Sequence, residues 1–569
     1  MPKLQPSALA RLTASVFLCL AAWTSVASAQ EDPAQITIGE RLFLETRFAE
    51  FFARNATDMN APLPAGDPVV EETQTTGDPL PNPFAGQSMN CRSCHFVDEH
   101  LDVPGGGMRT YADFARRSPV PARTDGKLSA PRNSPALVNA SLARPAGILL
   151  HFDAEFASLE DLVRGTLLGR NYGWLASERP DAVAHIARVI RGDDGSGELA
   201  QQFGGSYRVV LAGVDPSLPP ELVLPPEFRL DVDQASDDEI VDAISRIIAA
   251  YVEALVFAQN DDGAFNGSPF DEFLRLNGLP GAPRPRESAK NYTERLRRAL
   301  RSLKNPVFVN DGPFEFHDQD RVFGELELAG LRAFMEPGPK RILPKHFRSG
   351  GFGNCTACHL APSFTDFGFH NTGTTQREYD GVHGSGGFAA LSIPNLAARN
   401  ADPDAFLPAT PAHPNASEVF RAAADASDAR LTDLGVWNVL ANLDFPAPQA
   451  KLLGTLCLQE VERAGVKKLP LAERAQVVLK LCSPAALLER SIATFKTPGL
   501  RDLSHSAPYM HNGELDTLED VVGFYRDVSV QARENRLRNA APELRGIVLR
   551  DSDEQAIAAF LRALNEDYN

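Results

Sequence analysis

The chain has 569 residues, of which 43% are hydrophobic, and its formal net charge is −18 at pH 7. This length exceeds what one hydrophobic core normally serves, so two compact domains are expected. The acidic balance excludes nucleic acid and anionic membrane surfaces as partners, because proteins bind both through basic surfaces.

The first 29 residues have the features of a secretory signal peptide. Lys3 and Arg11 precede an apolar run, and the Ala-Ser-Ala of residues 27–29 offers a cleavage site. The run is short and contains Ser and Thr, which argues against the alternative of a permanent membrane anchor. We predict cleavage after Ala29, a periplasmic or secreted mature protein, and no membrane span after cleavage.

Each half of the remaining chain carries one Cys-x-x-Cys-His motif, so the sequence resembles a loose duplication. We predict an N-terminal domain over residues 30–276, a linker or insertion over 277–323, and a C-terminal domain over 324–569. Strand patterns are sparse, and residues 50–85 and 400–430 lack any periodicity. The predicted fold is mainly α-helical, with long loops and little β-structure.

A long buried helix is predicted near the end of the N-terminal domain. Ser236 and Glu239 have the spacing of a capping box, and apolar residues from Ile240 to Leu255 follow at helical intervals. Beyond it, the basic helical piece RLRRALRSLK (295–304) suits a linker or an inserted arm.

The two Cys-x-x-Cys-His motifs predict two covalently attached c-type haems. In such a motif two thiols bind the vinyl groups and the histidine ligates iron. A zinc site would need further Cys/His pairs, and a dithiol redox site has no use for the repeated histidine. The residues are Cys91, Cys94 and His95 in the first motif, and Cys355, Cys358 and His359 in the second.

Two further cysteines of the mature chain, Cys457 and Cys482, are a candidate disulfide in an oxidising compartment. The alternative is a pair of buried free thiols. Cys19 is lost with the predicted signal peptide.

The segments around these motifs resemble the di-haem bacterial cytochrome c peroxidases, including the MauG-type proteins. The matching strings are GERLFLETRF (39–48), RNSPALVNA (132–140), FDAEFASLEDL (152–162), SPFDEFL (268–274), CTACHLAPSFTDFGFHNTG (355–373) and TFKTPGLRDLSHSAPYMHNGELDTLEDVVGFY (494–525). The resemblance implies two cytochrome c-like haem domains with the haems near the domain interface. It also implies a reactive N-terminal haem on His95 and an electron-transferring C-terminal haem on His359.

The resemblance further implies that Tyr525 is the second axial ligand of the C-terminal haem. The family places this ligand fourteen residues after the histidine that here is His511, as methionine in peroxidases and tyrosine in MauG-type members. Helical spacing puts four side chains on one face: Leu518, Val521, Val522 and Tyr525. The alternatives are a core tyrosine and a rival ligand, Met510. A phenolate stabilises ferric iron, so we expect a lower potential than with methionine.

A calcium ion between the haems is also implied by the resemblance. The matching positions are Asn133, Ser506 and Pro508, and amide and carbonyl oxygens suit a hard cation. The alternative for Asn133 is a turn-forming residue.

The distal side of the first haem departs from the family. Phe152, Leu162 and Tyr172 stand where the family has an inter-haem tryptophan, a glutamine and a catalytic glutamate. Leu162 cannot donate an amide hydrogen bond, and Phe152 is a poorer electron relay than tryptophan, for which Trp174 is a nearby substitute. Peroxide cleavage by the family's usual acid–base route is therefore in question.

Other polar residues of this segment have been considered for the distal side. Tyr172, Asn171 and Arg170 are possible hydrogen-bond donors to bound oxygen. The spare carboxylates are Glu155, Glu160 and Asp161, all expected to face water in a first helical turn.

Three functions compete. The first is a peroxidase or MauG-type oxidase that uses hydrogen peroxide at an open first haem. The second is a dioxygen-dependent oxygenase resembling the secreted di-haem rubber oxygenases, which the apolar residues Phe152 and Leu162 favour. The third is a non-catalytic electron carrier, with His100, Tyr111 or His151 as sixth ligand of the first haem. Nothing in the sequence indicates the electron donor or the oxidised substrate.

Overall fold

A computed structural model describes residues 32–72, 74–75, 78–79, 88–96, 113–114, 117–142, 144, 147–314 and 317–566. The predicted signal peptide lies outside these ranges. Helices dominate the described residues, and the strands are short and paired two by two. Within the same ranges, no helix has the length and apolar character needed to cross a bilayer. The predicted fold class, mainly helical with little β-structure, is confirmed.

The helices are distributed along the whole described chain. In the N-terminal part they are α1 (Ala34–Phe43), α2 (Glu50–Asn55), α3 (Leu159–Leu167), α4 (Arg179–Gly192), α5 (Glu198–Gln202), α6 (Tyr207–Ala212) and α7 (Asp237–Ala254). In the middle they are α8 (Pro269–Leu276), α9 (Ala289–Ser302), α10 (Glu325–Met335), α11 (Pro344–Ser349), α12 (Thr374–His383) and α13 (Gly387–Ala390). In the C-terminal part they are α14 (Leu396–Ala401), α15 (Pro403–Phe406), α16 (Gln449–Arg463), α17 (Leu471–Leu481), α18 (Pro484–Arg490), α19 (Leu518–Arg533) and α20 (Asp551–Arg562).

The described strands form antiparallel pairs. They are β1 (Gln74–Thr75) with β2 (Asp78–Pro79), β3 (His95–Phe96) with β4 (Asp113–Phe114), β5 (Val309–Pro313) with β6 (Asp320–Phe323), and β7 (Phe369–His370) with β8 (Phe495–Lys496). The last pair matters for the site, because the N–H of Lys496 also donates to the carbonyl of Phe152 at 2.7 Å. It therefore joins the C-terminal half to the N-terminal loop around Phe152.

Helix α7 is the long buried helix that the sequence predicts. Ser236 is its N-cap, and Ser236 and Glu239 form the capping box. Helix α1 packs across it at Gly39, where a Cβ atom would lie 2.5 Å from the carbonyl oxygen of Ile247. Only glycine allows so close an approach of the two backbones.

The C-terminal core repeats this arrangement. Helix α10 packs on α20 at Gly330, where a Cβ atom would lie 1.8 Å from the carbonyl oxygen of Ala556. The strings GERLF (39–43) and GLRAF (330–334) thus have the same role in the two halves. This correspondence supports the duplication inferred from the two motifs.

Helices α8 and α9 pack into the C-terminal core. Phe270 and Phe273 of α8, and Leu296 and Leu300 of α9, are fully buried there. The sequence assigned α8 to the N-terminal domain and α9 to a linker, because only local composition was visible. The apolar face of each helix instead adds to the core around α10 and α20.

A third apolar cluster lies around Trp437 and Phe420 and includes Leu149 and Ala154 from the N-terminal half. The tract 400–430 is mostly loop, as predicted. Cys457 of α16 and Cys482, directly after α17, form the candidate disulfide, with their Cα atoms 4.9 Å apart.

Candidate haem sites

Each Cys-x-x-Cys-His motif begins in a 3-10 turn that the preceding asparagine anchors. Asn90 caps the first turn and donates to the carbonyl of Leu44 at 2.9 Å. Asn354, before the second turn, donates to the carbonyl of Glu543 at 2.8 Å. Sequence reasoning missed both residues, although the asparagine before each motif was a visible signal.

The second motif opens into a buried, mainly apolar cavity. Its walls come from α10, α19 and α20, and its lining includes Phe334, Leu518, Val522, Tyr525, Ile557 and Leu561. Cys355, Cys358 and His359 line the same cavity. Helix α19 begins after its N-cap Thr517, so its apolar face carries Tyr525 towards this space. The motif and Tyr525, which are at least 166 residues apart in the chain, therefore line the same cavity.

The imidazole of His359 is fixed in a way that suits an iron ligand. Its Nδ1 lies 2.8 Å from the carbonyl oxygen of Phe364, so Nε2 is the nitrogen that can bind iron. Burial lowers the pKa of His359 and favours the neutral, coordinating form, while the Phe364 carbonyl opposes the shift. Burial raises the pKa of Tyr525 and raises that of Cys355 to about 12. Both groups are thus protonated unless iron or a covalent bond displaces the proton.

Met510 and His511 line the same cavity as Tyr525. Met510 has a φ of 72°, in the turn that the PYMHNG string predicts. The ring of His511 stacks on Phe495, with centroids 3.6 Å apart and planes 14° apart. Phe152 also lines this cavity, so the position of the family's inter-haem tryptophan borders the second site.

The three residues proposed for calcium lie together. Asn133, Ser506 and Pro508 all line the cavity, and Nδ2 of Asn133 donates to the carbonyl of Pro508 at 2.5 Å. Oδ1 of Asn133 is buried and has no hydrogen-bond partner among the described residues. A buried amide oxygen without a partner is costly, and a cation bound beside the Pro508 carbonyl would satisfy it.

The first motif lies against the N-terminal core. Cys91 and Cys94 are half-buried against this core, and Leu162 packs against the same core. The hydroxyl of Tyr172, a fully buried residue, lies 3.2 Å from Sγ of Cys91. Burial lowers the pKa of His95 to about 4, repulsion from His151 acts in the same direction, and the Pro135 carbonyl opposes it.

An ion-pair network connects the two halves of the chain, and its Arg132 also lies over the ring of Phe495, which lines the cavity of the second motif. Arg132 pairs with Asp153 at 2.6 Å and with Asp433 at 2.5 Å. Arg421 pairs with Asp153 at 3.3 Å and with Glu155. Asp153 is fully buried. No pattern in the sequence pointed to Arg421, which lies in the aperiodic tract 400–430.

The prediction that Glu155 faces water in a first helical turn is wrong. Helix α3 begins only at Leu159, after its N-cap Ser158, and Glu155 precedes it in a loop. Its carboxylate accepts a hydrogen bond from Nδ1 of His151 at 3.1 Å and pairs with Arg421. Burial alone would raise the pKa of Glu155, but Arg421 and His151 together hold it well below its usual range.

The side chains of His151, Asp153 and Glu155 bring their ligand atoms within 4.8 Å of one another. Arg132 and Arg421 already pair with these carboxylates, so the charge that a metal ion would supply is present. The arrangement is an ion-pair network rather than a metal centre.

Several other candidates lie away from both predicted haem positions or contact other residues. Glu160 and Asp161 are exposed in the first turn of α3, as expected. Arg170 pairs with Asp125 at 2.6 Å, and Asn171 is exposed. Trp174 is buried in the N-terminal core and donates from Nε1 to the carbonyl of Phe48 at 3.2 Å. His100 and Tyr111 lie outside the described residues.

Comparisons with known proteins confirm the resemblance to di-haem peroxidases and MauG. The cytochrome-c peroxidase IdrP2 of Pseudomonas sp. (strain SCT) is 42% identical over 79 residues, which cover 14% of this chain and 19% of that protein. The methylamine utilization protein MauG of Methylophilus methylotrophus is 33% identical over 86 residues, covering 15% of this chain and 23% of that protein. The matched segment thus spans about a fifth of these relatives.

A likeness to a solved structure extends further along the chain. The match to the diheme peroxidase BthA from Burkholderia thailandensis E264 covers 94% of this chain and 87% of the BthA chain, with 18% identity and a TM-score of 0.43. No protein-family model matches the chain.

Proposed function

We propose that the chain is an exported di-haem c-type cytochrome that acts as a peroxidase of the MauG-like kind. The observation that carries the proposal is the second site, where the Cys-x-x-Cys-His motif and Tyr525 line one buried apolar cavity. The similarity to proteins named cytochrome-c peroxidase and MauG supports the same function. Hydrogen peroxide is the proposed oxidant, and the electron donor is unassigned.

The residues present fit a haem at each motif. At the second, two half-buried thiols stand beside His359, whose Nδ1 is held by the Phe364 carbonyl so that Nε2 can bind iron, and apolar walls suit a porphyrin. At the first, Cys91 and Cys94 are half-buried against the N-terminal core. When bound, the haems supply the electrons that reduce peroxide.

The chain's own residues then set the roles of the two sites. His359 and Tyr525 would hold the iron of the second haem, and the mainly apolar walls would surround the porphyrin, so this site is proposed to serve electron transfer. At the first site His95 is the proposed ligand on one face, and the opposite face is proposed to be open to peroxide. Asn133 and Pro508, with Ser506, are proposed to hold calcium between the sites.

A dioxygen-dependent oxygenase is the second candidate, and the distal wall favours it. Leu162 and Phe156 are half-buried apolar residues against the N-terminal core. Tyr172, at the position of the family's glutamate, directs its hydroxyl at Cys91. An apolar wall of this kind suits bound dioxygen and an apolar substrate as well as peroxide.

The test is spectroscopic titration of the purified mature protein. A pyridine haemochrome assay should give two c-type haems per chain, and ferric protein should react with hydrogen peroxide with loss of the resting Soret band. If the reduced protein forms a stable dioxygen complex and the ferric protein does not react with peroxide, the oxygenase function is favoured. If the ferric protein does not react with peroxide and the reduced protein does not react with dioxygen, the electron-carrier function remains.

A further inference from the structure

His151 is held rigidly at the edge of the first site. Its Nδ1 lies 3.1 Å from Oε2 of Glu155, and its ring meets Phe156 edge-on, with centroids 4.9 Å apart. The carboxylate fixes the proton on Nδ1, so Nε2 is the basic nitrogen. Nε2 makes no hydrogen bond to any described residue. A fixed imidazole with an unused basic nitrogen is equipped to accept a proton.

The surroundings place His151 beside the proposed first haem. The ring of Phe156 packs on helix α3 at Gly165, where an added Cβ atom would lie 2.6 Å from that ring. Leu162, three residues earlier on the same helix, packs in the cluster that contains Cys91 and Cys94. The positive charge of His151 also disfavours protonation of His95, so the two imidazoles lie within electrostatic reach.

Glu155 cannot itself be the base. Its carboxylate is paired with Arg421, which arrives from the C-terminal half and also contacts the buried Asp153. A carboxylate held as an ion by an arginine is a weak proton acceptor. Its contact with Nδ1 instead orients the imidazole, as a carboxylate does in other histidine-based acid–base pairs.

We propose that His151 is the acid–base residue of the first haem site, positioned by Glu155 and Arg421. The inference rests on the proposed peroxidase function. Nε2 of His151 accepts the proton from one oxygen of hydrogen peroxide and returns it to the other oxygen. That oxygen leaves as water when the O–O bond breaks. The remaining oxygen takes two electrons, which the haems would supply, and with two protons from solvent it becomes a second water. His151 thus replaces the glutamate that the chain lacks at Tyr172.

The test is the rate of cyanide binding to the ferric protein, since hydrogen cyanide must lose its proton as it binds iron. His151→Gln should slow cyanide association by about 100-fold, the usual size of a lost acid–base group. Glu155→Gln, which keeps the shape but weakens the hold on Nδ1, should slow it by about tenfold. His413→Gln is the matched control, because His413 also pairs through Nδ1 with a carboxylate, Asp404, at 2.8 Å. Its rate should equal that of the wild type.

The outcomes separate the inference from the proposed function. If the wild-type protein binds cyanide and a haem-replete His151→Gln variant binds it at the same rate, the role of His151 is overturned, whereas the proposed function stands. A faster rate in that variant would show His151 to be an iron ligand, which also overturns it. Wild-type protein that binds no cyanide would contradict the open first haem, and the proposed function would fall with the inference.

Discussion

The two motif sites have the same local sequence but very different surroundings. The second site is enclosed by apolar side chains, and Tyr525 faces the same cavity as the motif. The first site is linked through His151 and Glu155 to a network of arginines and carboxylates drawn from both halves of the chain. Under the proposed function, the shared motif would secure the cofactor, whereas the residues across from it would determine whether iron is closed off or available for chemistry.

The largest effect is expected from removing the phenol of the second site. Tyr525→Phe should change the ligation of the entire second haem population, because no other oxygen donor of α19 lines the cavity within the described residues. The haem stain should persist, since both thioether bonds remain. Electron paramagnetic resonance of the ferric protein measures the change.

Met510→Leu is the control for Tyr525, because Met510 lines the same cavity. Its spectrum should match that of the wild type. If Met510→Leu changes the second haem and Tyr525→Phe does not, the assignment of the axial ligand moves to Met510.

The network of the first site is expected to contribute substantially to stability. Arg421→Leu leaves Glu155 without its cation and Asp153 with Arg132 alone, which should cost about 3 kcal/mol of unfolding free energy. Chemical denaturation followed by circular dichroism measures this cost. Arg430→Leu removes an exposed pair with Asp428 and should leave the unfolding free energy nearly unchanged. Equal losses of unfolding free energy in the two variants would show that the network contributes no more to stability than an exposed ion pair.

Calcium should stabilise the junction between the sites. Adding calcium to chelator-treated protein at about 100 times its Kd should contribute about 2.7 kcal/mol and raise the melting temperature by a few degrees. Asn133→Ala should abolish this shift, whereas Asn171→Ala, at an exposed asparagine, should keep it. A calcium shift that survives Asn133→Ala would place the ion elsewhere.

The smallest effect concerns acid stability. The pKa of Glu155 is depressed in the folded state, so its contribution is complete above its ordinary pKa of about 4.3 and is lost as pH falls through the folded value. Glu155→Gln should therefore unfold with a shallower dependence on pH below about 4.3. Acid titrations of both proteins, followed by tryptophan fluorescence, compare the slopes. A variant slope as steep as that of the wild type would assign the acid sensitivity to other carboxylates.

Local signals predicted the features that local chemistry decides. The capping box of Ser236 and Glu239 predicted the start of α7, because it depends on a neighbour three residues away. The loop position of Glu155 was not predictable in this way, since the partner Arg421 lies 266 residues away. The same limit applies to α8 and α9, whose apolar faces were visible but whose partners in the C-terminal core were not.

The central claim, one available iron and one closed by a phenol oxygen, is tested most directly by low-temperature electron paramagnetic resonance of the ferric wild-type protein. We predict two signals of equal weight, a high-spin signal from the first haem and a low-spin signal from the second that disappears in Tyr525→Phe. Two low-spin signals in the resting protein, or preparations without haem, would contradict the account.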